Sequence, residues 1–174
     1  MGSKAEKEAR PGGKILRLDG HPELIAAAAK WFHEKWGIPE SVYLESMEES
    51  VASISGVPEW YVFRENGRIC GGLGVIENDF HKRPDLRPNI CAVYVEPEYR
   101  RRGIARELLN AAAAGLAEHG TEDVYLITGH TDFYEKCGWE FWGTVEENDG
   151  GEARMYHRKT KAAVSEKKSF QSLT

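Results

Sequence analysis

Long apolar runs are missing from this chain of 174 residues. No stretch approaches the ~18 consecutive apolar residues that cross a bilayer, and no secretory h-region is present, so neither a membrane span nor export is expected. Cysteine is scarce as well: Cys70, Cys91 and Cys137 are odd in number and too widely spaced for a metal knuckle. Each reads as a small apolar core residue, and neither a metal site nor a disulfide framework is expected. Positive charge is also in deficit, with 23 Lys and Arg against 28 Asp and Glu and a formal net charge of −5. That balance speaks against general nucleic-acid binding, which favours a basic face. Together these shortages suggest a reduced, cytoplasmic protein.

What the chain does contain is core material, 41% apolar, enough for one domain. Residues 1–13 and 159–174 carry few large apolar side chains and read as flexible tails, leaving a domain over 14–158. Lys14–Leu18 is a strand candidate. "HPELIAAAAKWFHEKWG" spaces Leu24, Ala28, Trp31 and Phe32 on one helical face, and Pro39 opens a second, acidic helix. "EWYVFRE" and "RICGGLGVIE" flank Asn66-Gly67, a strong hairpin signal. After the loop "NDFHKRPDLRP" come a strand "NICAVYVE", a helix Ile104–His119, a strand "DVYLIT", a short helix in "TDFYEKCG" and a closing hairpin around 148–151. The order is β-α-α-β-β-β-α-β-α-β-β, an α+β fold with a mixed, mostly antiparallel central sheet flanked by helices.

One stretch stands against the charge balance. "YRRRGIA" sets Arg100, Arg101 and Arg102 where a strand ends and a helix begins, with Gly103 next. A helix start offers unpaired N–H groups and partial positive charge, so it can hold an anion with backbone alone. Gly103 removes the Cβ that would keep a phosphate from the main chain, and Ala105 is nearly as small. Taken alone, the pattern fits a phosphate site and a solvated basic turn equally well.

Arg100-x-x-Gly103-x-Ala105 resembles the acyl-coenzyme A signature of the GNAT superfamily of N-acetyltransferases, and "FYEKCGWEF" resembles that family's second signature. Tyr134 follows Gly103 by 31 residues, with one helix and one strand between, as in the family. The resemblance covers the element order of about residues 14–158. It implies acetyl-CoA as the cofactor, its pyrophosphate on the turn from Arg101 through Gly103, Ile104 and Ala105 to Arg106. Its pantetheine arm would run along Val93, Tyr94 and Val95, a strand that splays from its neighbour. The family often has an asparagine seven residues before the tyrosine; here that position is Ile127, with Thr128 or His130 as a substitute polar contact.

Acetyl transfer from a thioester needs a neutral amine and a stabilised leaving thiolate. An alkylamine is about a thousandfold protonated at neutral pH, roughly 4 kcal/mol against attack. The resemblance makes Tyr134 the proton donor to sulfur; the alternative is a core tyrosine beside Phe133 and Trp139. For the base, the family's glutamate position holds Asn89, which cannot serve. Glu77, Asp79 and His81 remain, Glu77 ranking first for its place at a strand end. Glu45, Glu49 and their neighbour Glu48, with Asp79 and His81, form the candidate acceptor contacts; the alternative for the glutamates is a solvated helix face.

The resulting expectation is an N-acetyltransferase acting on a small cationic amine, of amino-sugar or polyamine type. A protein lysine or N-terminus, and a non-catalytic acyl-CoA sensor, are the competing readings. No membrane or nucleic-acid partner is expected. The resemblance allows a homodimer, for which Trp142 on the closing hairpin is the suggested contact.

Overall fold

Seven strands hydrogen-bond in the order β1-β2-β3-β4-β5-β7-β6 in the computed structural model, which describes residues 12–161. The strands are β1 Lys14–Arg17, β2 Glu59–Glu65, β3 Arg68–Ile76, β4 Asn89–Val95, β5 Asp123–Thr128, β6 Glu140–Glu146 and β7 Glu152–Lys159. The helices are α1 Ile25–Trp36, α2 Glu40–Ala52, α3 Ile104–Glu118 and the single turn α4 Phe133–Lys136. The sheet is mixed and mostly antiparallel, and helices flank it, as expected. Much of the expected tails at 1–13 and 159–174 lies outside the described residues, although Lys159 still belongs to β7, opposite Asp123.

Packing divides the chain into two compact units. The first holds the described residues through Ile54, with Pro58–Gly74 and Ala92–Leu109. Its β1 and β2 pair antiparallel from Lys14–Arg64 to Arg17–Tyr61. Leu18, expected as a strand residue, instead starts a 3-10 turn, Leu18–Gly20, and Pro22–Leu24 forms another before α1. In α1, Ile25, Ala28, Ala29, Trp31 and Phe32 are buried, the three-and-four spacing that puts one face into the core. Phe32, Tyr43 and Trp60 meet pairwise with ring centroids 5.0–5.6 Å apart. Gly72 makes this fit possible: a Cβ there would lie 2.7 Å from Phe32 Cζ and 2.8 Å from the Tyr61 carbonyl oxygen. The β2–β3 hairpin turns through Asn66 and Gly67 at φ 51° and 75°, the pair of left-handed residues that a tight two-residue turn requires.

The second unit holds Ser55–Val57, Val75–Cys91 and the described residues from Asn110 onward. Here β5 and β7 pair over six positions, from Asp123–Lys159 to Thr128–Arg154. β7 also pairs with the edge strand β6, whose register shifts between Phe141 and Gly143. Leu86, Val145 and Met155 make a small core against which Tyr125 and Ile127 pack. The parallel β4–β5 pairing has one register pair, Asn89 with Tyr125.

α3 runs through both units, and its buried residues Ile104, Leu108, Leu109, Ala112, Ala113 and Leu116 follow helical spacing. Its start therefore belongs with the arginine turn in the first unit. No helix among the described residues is long and apolar enough to cross a membrane.

Candidate active site

The turn before α3 has the shape that an anion needs. Arg101 and Gly103 both sit in the left-handed region, at φ 65° and 77°. Alternating backbone handedness turns successive N–H groups toward one concavity, and the first N–H groups of a helix have no intrahelical partner. Nothing lies within 4 Å of a Cβ built on Gly103, so the backbone there is open to a ligand. Ile104 is 4% exposed and pins the helix start to the core. Arg106 is exposed on the first turn of α3, and Ala105 is half-buried.

The three arginines do different things. Arg100 donates its Nε–H to the Val95 carbonyl at 2.9 Å and lies over the Tyr94 ring at 5.4 Å. Arg102 donates from Nη2 to Glu65 Oε1 at 3.1 Å and lies over the Tyr99 ring at 5.2 Å. Arg101 is exposed and makes no hydrogen bond, ion pair or ring contact among the described residues. Behind the turn, Glu96 anchors the end of β4 to α1. It accepts a 2.9 Å hydrogen bond from Trp31 Nε1, pairs with Lys35, and sends its own N–H to the Cys70 carbonyl.

β4 changes character along its length. Asn89, Ile90 and Cys91 are buried, Ala92 turns left-handed at φ 54°, and Ala92, Val93 and Tyr94 are half-exposed before Val95 is buried again. A left-handed alanine costs roughly 1–2 kcal/mol, a strain of the kind that accumulates at working sites.

In the second unit Tyr134 lies on α4, 7% exposed, against Phe133, Trp139 and Tyr156 at 5.0, 6.3 and 6.2 Å. Burial first, and Cys137 second, push its hydroxyl up to about 12. Thr128 Oγ1 accepts the His130 N–H at 3.0 Å, so this hydroxyl shapes a local turn, while Ile127 packs on the small core.

The base candidates separate clearly. Glu77 is exposed and pairs with Arg87 at 3.5 Å. His81 is 3% exposed with both ring nitrogens engaged: Nε2–H donates to Asn89 Oδ1 at 2.7 Å, and Nδ1 accepts the Arg83 N–H at 3.2 Å. This tautomer follows from Asn89, whose Nδ2 donates to the Glu77 and Leu86 carbonyls. Both nitrogens of His81, expected among the acceptor contacts, are thus occupied within the chain. Asn78 clamps the same turn, its Oδ1 accepting the His81 N–H at 3.0 Å and its Nδ2 donating to the His81 carbonyl. Asp79, inside that clamp, has no hydrogen-bond donor among the described residues. Its carboxyl is pushed up to about 6, chiefly by burial, with His81 opposing the rise and Glu147 adding to it.

That shift has a stability consequence. An unfolded aspartate ionises near ~3.9, so the folded chain binds the extra proton between about pH 4 and 6, and stability falls as pH rises through that window. Asp79→Asn removes the loss. The variant is expected to unfold later than wild type at pH 7.5, by up to about 3 kcal/mol, and at the same point near pH 4. Denaturant titrations at the two pH values check this.

Glu45, Glu48 and Glu49 are exposed on α2 in the first unit, whereas Glu77, Asp79 and His81 belong to the second. Trp142 is partly exposed, with the Arg83 guanidinium 5.0 Å over its ring. Sequence reasoning missed Glu65, Glu96 and Glu147, acidic residues far along the chain from the groups they serve.

Comparison with known proteins bears on this arrangement. Residues 57–141 match the model of the acetyltransferase (GNAT) domain. N-alpha-acetyltransferase 30 of Schizosaccharomyces pombe (strain 972 / ATCC 24843) is 30% identical over 88 residues, which are 47% of this chain and 58% of that protein. The match thus spans little more than half the length of this curated relative. A solved aminoglycoside 6'-N-acetyltransferase complexed with coenzyme A superposes with TM-score 0.63 at 18% identity, over 86% of this chain and 98% of that one. An acetyltransferase of the GNAT family from Streptococcus pneumoniae superposes with TM-score 0.63 at 14% identity, over 84% and 99%. With the arginine–glycine turn, the interrupted β4 strand and the sheet order already described, these comparisons show a match to the GNAT acetyltransferase domain over residues 57–141 and the fold of solved GNAT acetyltransferases.

Proposed function

We propose that this chain is an acetyl-CoA-dependent N-acetyltransferase that acylates a primary amine of a small cationic acceptor. The observation that carries the reading is the turn at Arg101–Gly103, two left-handed residues with open space over the glycine at the start of a fifteen-residue helix. A diphosphate matches that cradle in charge. Solved relatives of the same fold hold coenzyme A, which supports the same ligand here. When bound, acetyl-CoA supplies an acyl group already activated toward amines.

The residues of this chain then divide the work. The turn's N–H groups hold the phosphates, and the half-exposed edge of Val93 and Tyr94 lies along β4 for the pantetheine arm. Asp79 is a better base than Glu77. It is half-buried and lacks a donor among the described residues, and a carboxyl near 6 stays ionised at neutral pH yet binds protons more strongly than a surface carboxylate. It attracts the acceptor ammonium and takes its proton, and His81, Asn78 and Asn89 hold it in place. Tyr134 donates a hydrogen bond to the departing sulfur.

A second acceptor class has its own support: the curated relative is named an N-alpha-acetyltransferase, which favours a peptide N-terminus. The test is a thiol-release assay with an amino sugar, a polyamine and short peptides with free N-termini, alongside unfolding scans with acetyl-CoA. Release with the amino sugar or polyamine supports the proposal, and release with peptides alone moves it to the second class. A thermal shift with no release from any amine leaves a sensor. Absence of a shift at millimolar acetyl-CoA removes the cofactor reading.

A further inference from the structure

Helix α4 is one turn long, and a single turn has little stability of its own, so its position has to come from what it touches. Thr131, Asp132, Phe133, Glu135 and Lys136 are exposed, and of this stretch only Tyr134 is buried. The residue that reaches it from inside is Tyr156, on β7 and 0% exposed. Its ring meets Tyr134 at 6.2 Å and Phe141 at 5.8 Å, contacts that a phenylalanine would make equally well. The hydroxyl is the part that packing does not explain, since burying it has a cost that only its hydrogen bonds offset.

Those bonds bracket Tyr134 in the chain. The hydroxyl shares its proton between the Thr131 carbonyl at 3.0 Å and Glu135 Oε1 at 3.2 Å, one partner before Tyr134 and one directly after it. Its oxygen accepts a bond from Arg154 Nη2 at 3.1 Å. A guanidinium only donates, so it fixes the hydroxyl with its proton turned toward α4. Arg154 precedes Tyr156 on the same face of β7, and its guanidinium lies 4.2 Å over the Phe141 ring. Its Nε is buried with no hydrogen-bond partner among the described residues, a cost that a leucine filling the same space would avoid. We propose that Tyr156, oriented by Arg154, is a positioning residue: its hydroxyl pins both flanks of α4 and so holds the Tyr134 hydroxyl where the departing sulfur needs it. The proposal rests on the proton-donor reading of Tyr134 above and extends it to residues that act through Tyr134.

If Tyr156 acts only through Tyr134, its loss matters only while Tyr134 keeps its hydroxyl. Tyr156→Phe retains the ring and is expected to lower kcat about tenfold by misplacement, with the KM for acetyl-CoA within about twofold of wild type. The assay is thiol release from acetyl-CoA by the purified full chain, with spermidine or an amino sugar as acceptor. In a Tyr134→Phe background the same change should alter kcat by less than about twofold. An equal loss in both backgrounds would overturn the inference, because a merely structural residue costs the same with or without the Tyr134 hydroxyl. So would an unchanged kcat for Tyr156→Phe alone. If Tyr156→Phe does not fold, Glu135→Ala decides, since Glu135 is exposed and its removal leaves the core intact. A loss of about threefold that disappears in the Tyr134→Phe background supports the clamp, and no loss removes it. Undiminished turnover by Tyr134→Phe itself, or no thiol release with any amine, is a different result, one that removes the proton-donor reading and this inference together.

Discussion

Tyr134→Phe is expected to lower kcat for acetyl transfer by about a hundredfold, the low end of what positioned proton donors contribute, while acetyl-CoA affinity stays within about twofold. The size follows from the hydroxyl's environment. Burial pushes it up to about 12, so it stays protonated at all working pH values. A thiol ionises near ~8.5, so handing the proton fully to a thiolate would be uphill by about 3–4 units, or roughly 5 kcal/mol. Tyr134 is therefore better suited to a hydrogen bond that stabilises developing charge on sulfur, and such a bond contributes less than complete transfer. The ring packs against Phe133, Trp139 and Tyr156, and phenylalanine keeps those contacts, so the variant should unfold at nearly the wild-type midpoint. The wild-type rate should also show no alkaline fall-off from this group below about pH 10, since the folded hydroxyl is still neutral there. A loss smaller than about threefold would return Tyr134 to the aromatic cluster and end its catalytic role.

Arg102→Ala should be the most destabilising single change among the three arginines. It strips the partner from Glu65, whose side chain is 6% exposed, and removes a guanidinium from the Tyr99 face. Breaking a fully buried pair by deleting one member costs about 3–5 kcal/mol. Arg102 is itself one-third exposed, at 34%, so water reaches the pair and about 2 kcal/mol is the better figure. For a chain of this length that lowers the unfolding midpoint by about 4–8 °C. The double variant Arg102→Ala with Glu65→Gln should regain more than half of the loss, because the remaining amide is neutral and tolerates burial better. If the single change is as mild as an ordinary surface truncation, about 0.5 kcal/mol, the pair does not brace the turn.

Much of the fold was legible because its signals are local. Asn66-Gly67 specified the β2–β3 hairpin, and the spacing from Ile104 to Leu116 specified α3. "DVYLIT" matched β5 from its first residue to its last. The misses were local too. Leu18 passed for a strand residue by its neighbours but turns into a 3-10 segment, whereas "TDFYEKCG" does carry the short helix expected there, with its limits at Phe133 and Lys136. A single turn is too short for apolar periodicity to declare its limits.

The functional site divides along the same line. The order of residues in "RRRGIA" was enough to mark a candidate anion-binding turn, with a solvated basic turn as the equal alternative, because handedness, missing Cβ and helix start all depend on residues within a few positions of one another. Partnership is another matter. Glu65 stands 37 positions from Arg102, and Trp31 stands 65 positions from Glu96. The burial that raises Asp79 and fills both nitrogens of His81 comes from a turn and a strand end that meet only in the folded chain. Glu77 and Asp79 look alike in sequence, two carboxylates two residues apart, and differ because one is exposed and the other half-buried. The sequence alone determined the succession of elements and the open glycine turn before α3, whose causes are steric and short in range. Which arginine has no partner among the described residues, and which carboxylate holds a proton more tightly, was decided by tertiary structure, since charge and proton affinity depend on every group brought within a few ångströms.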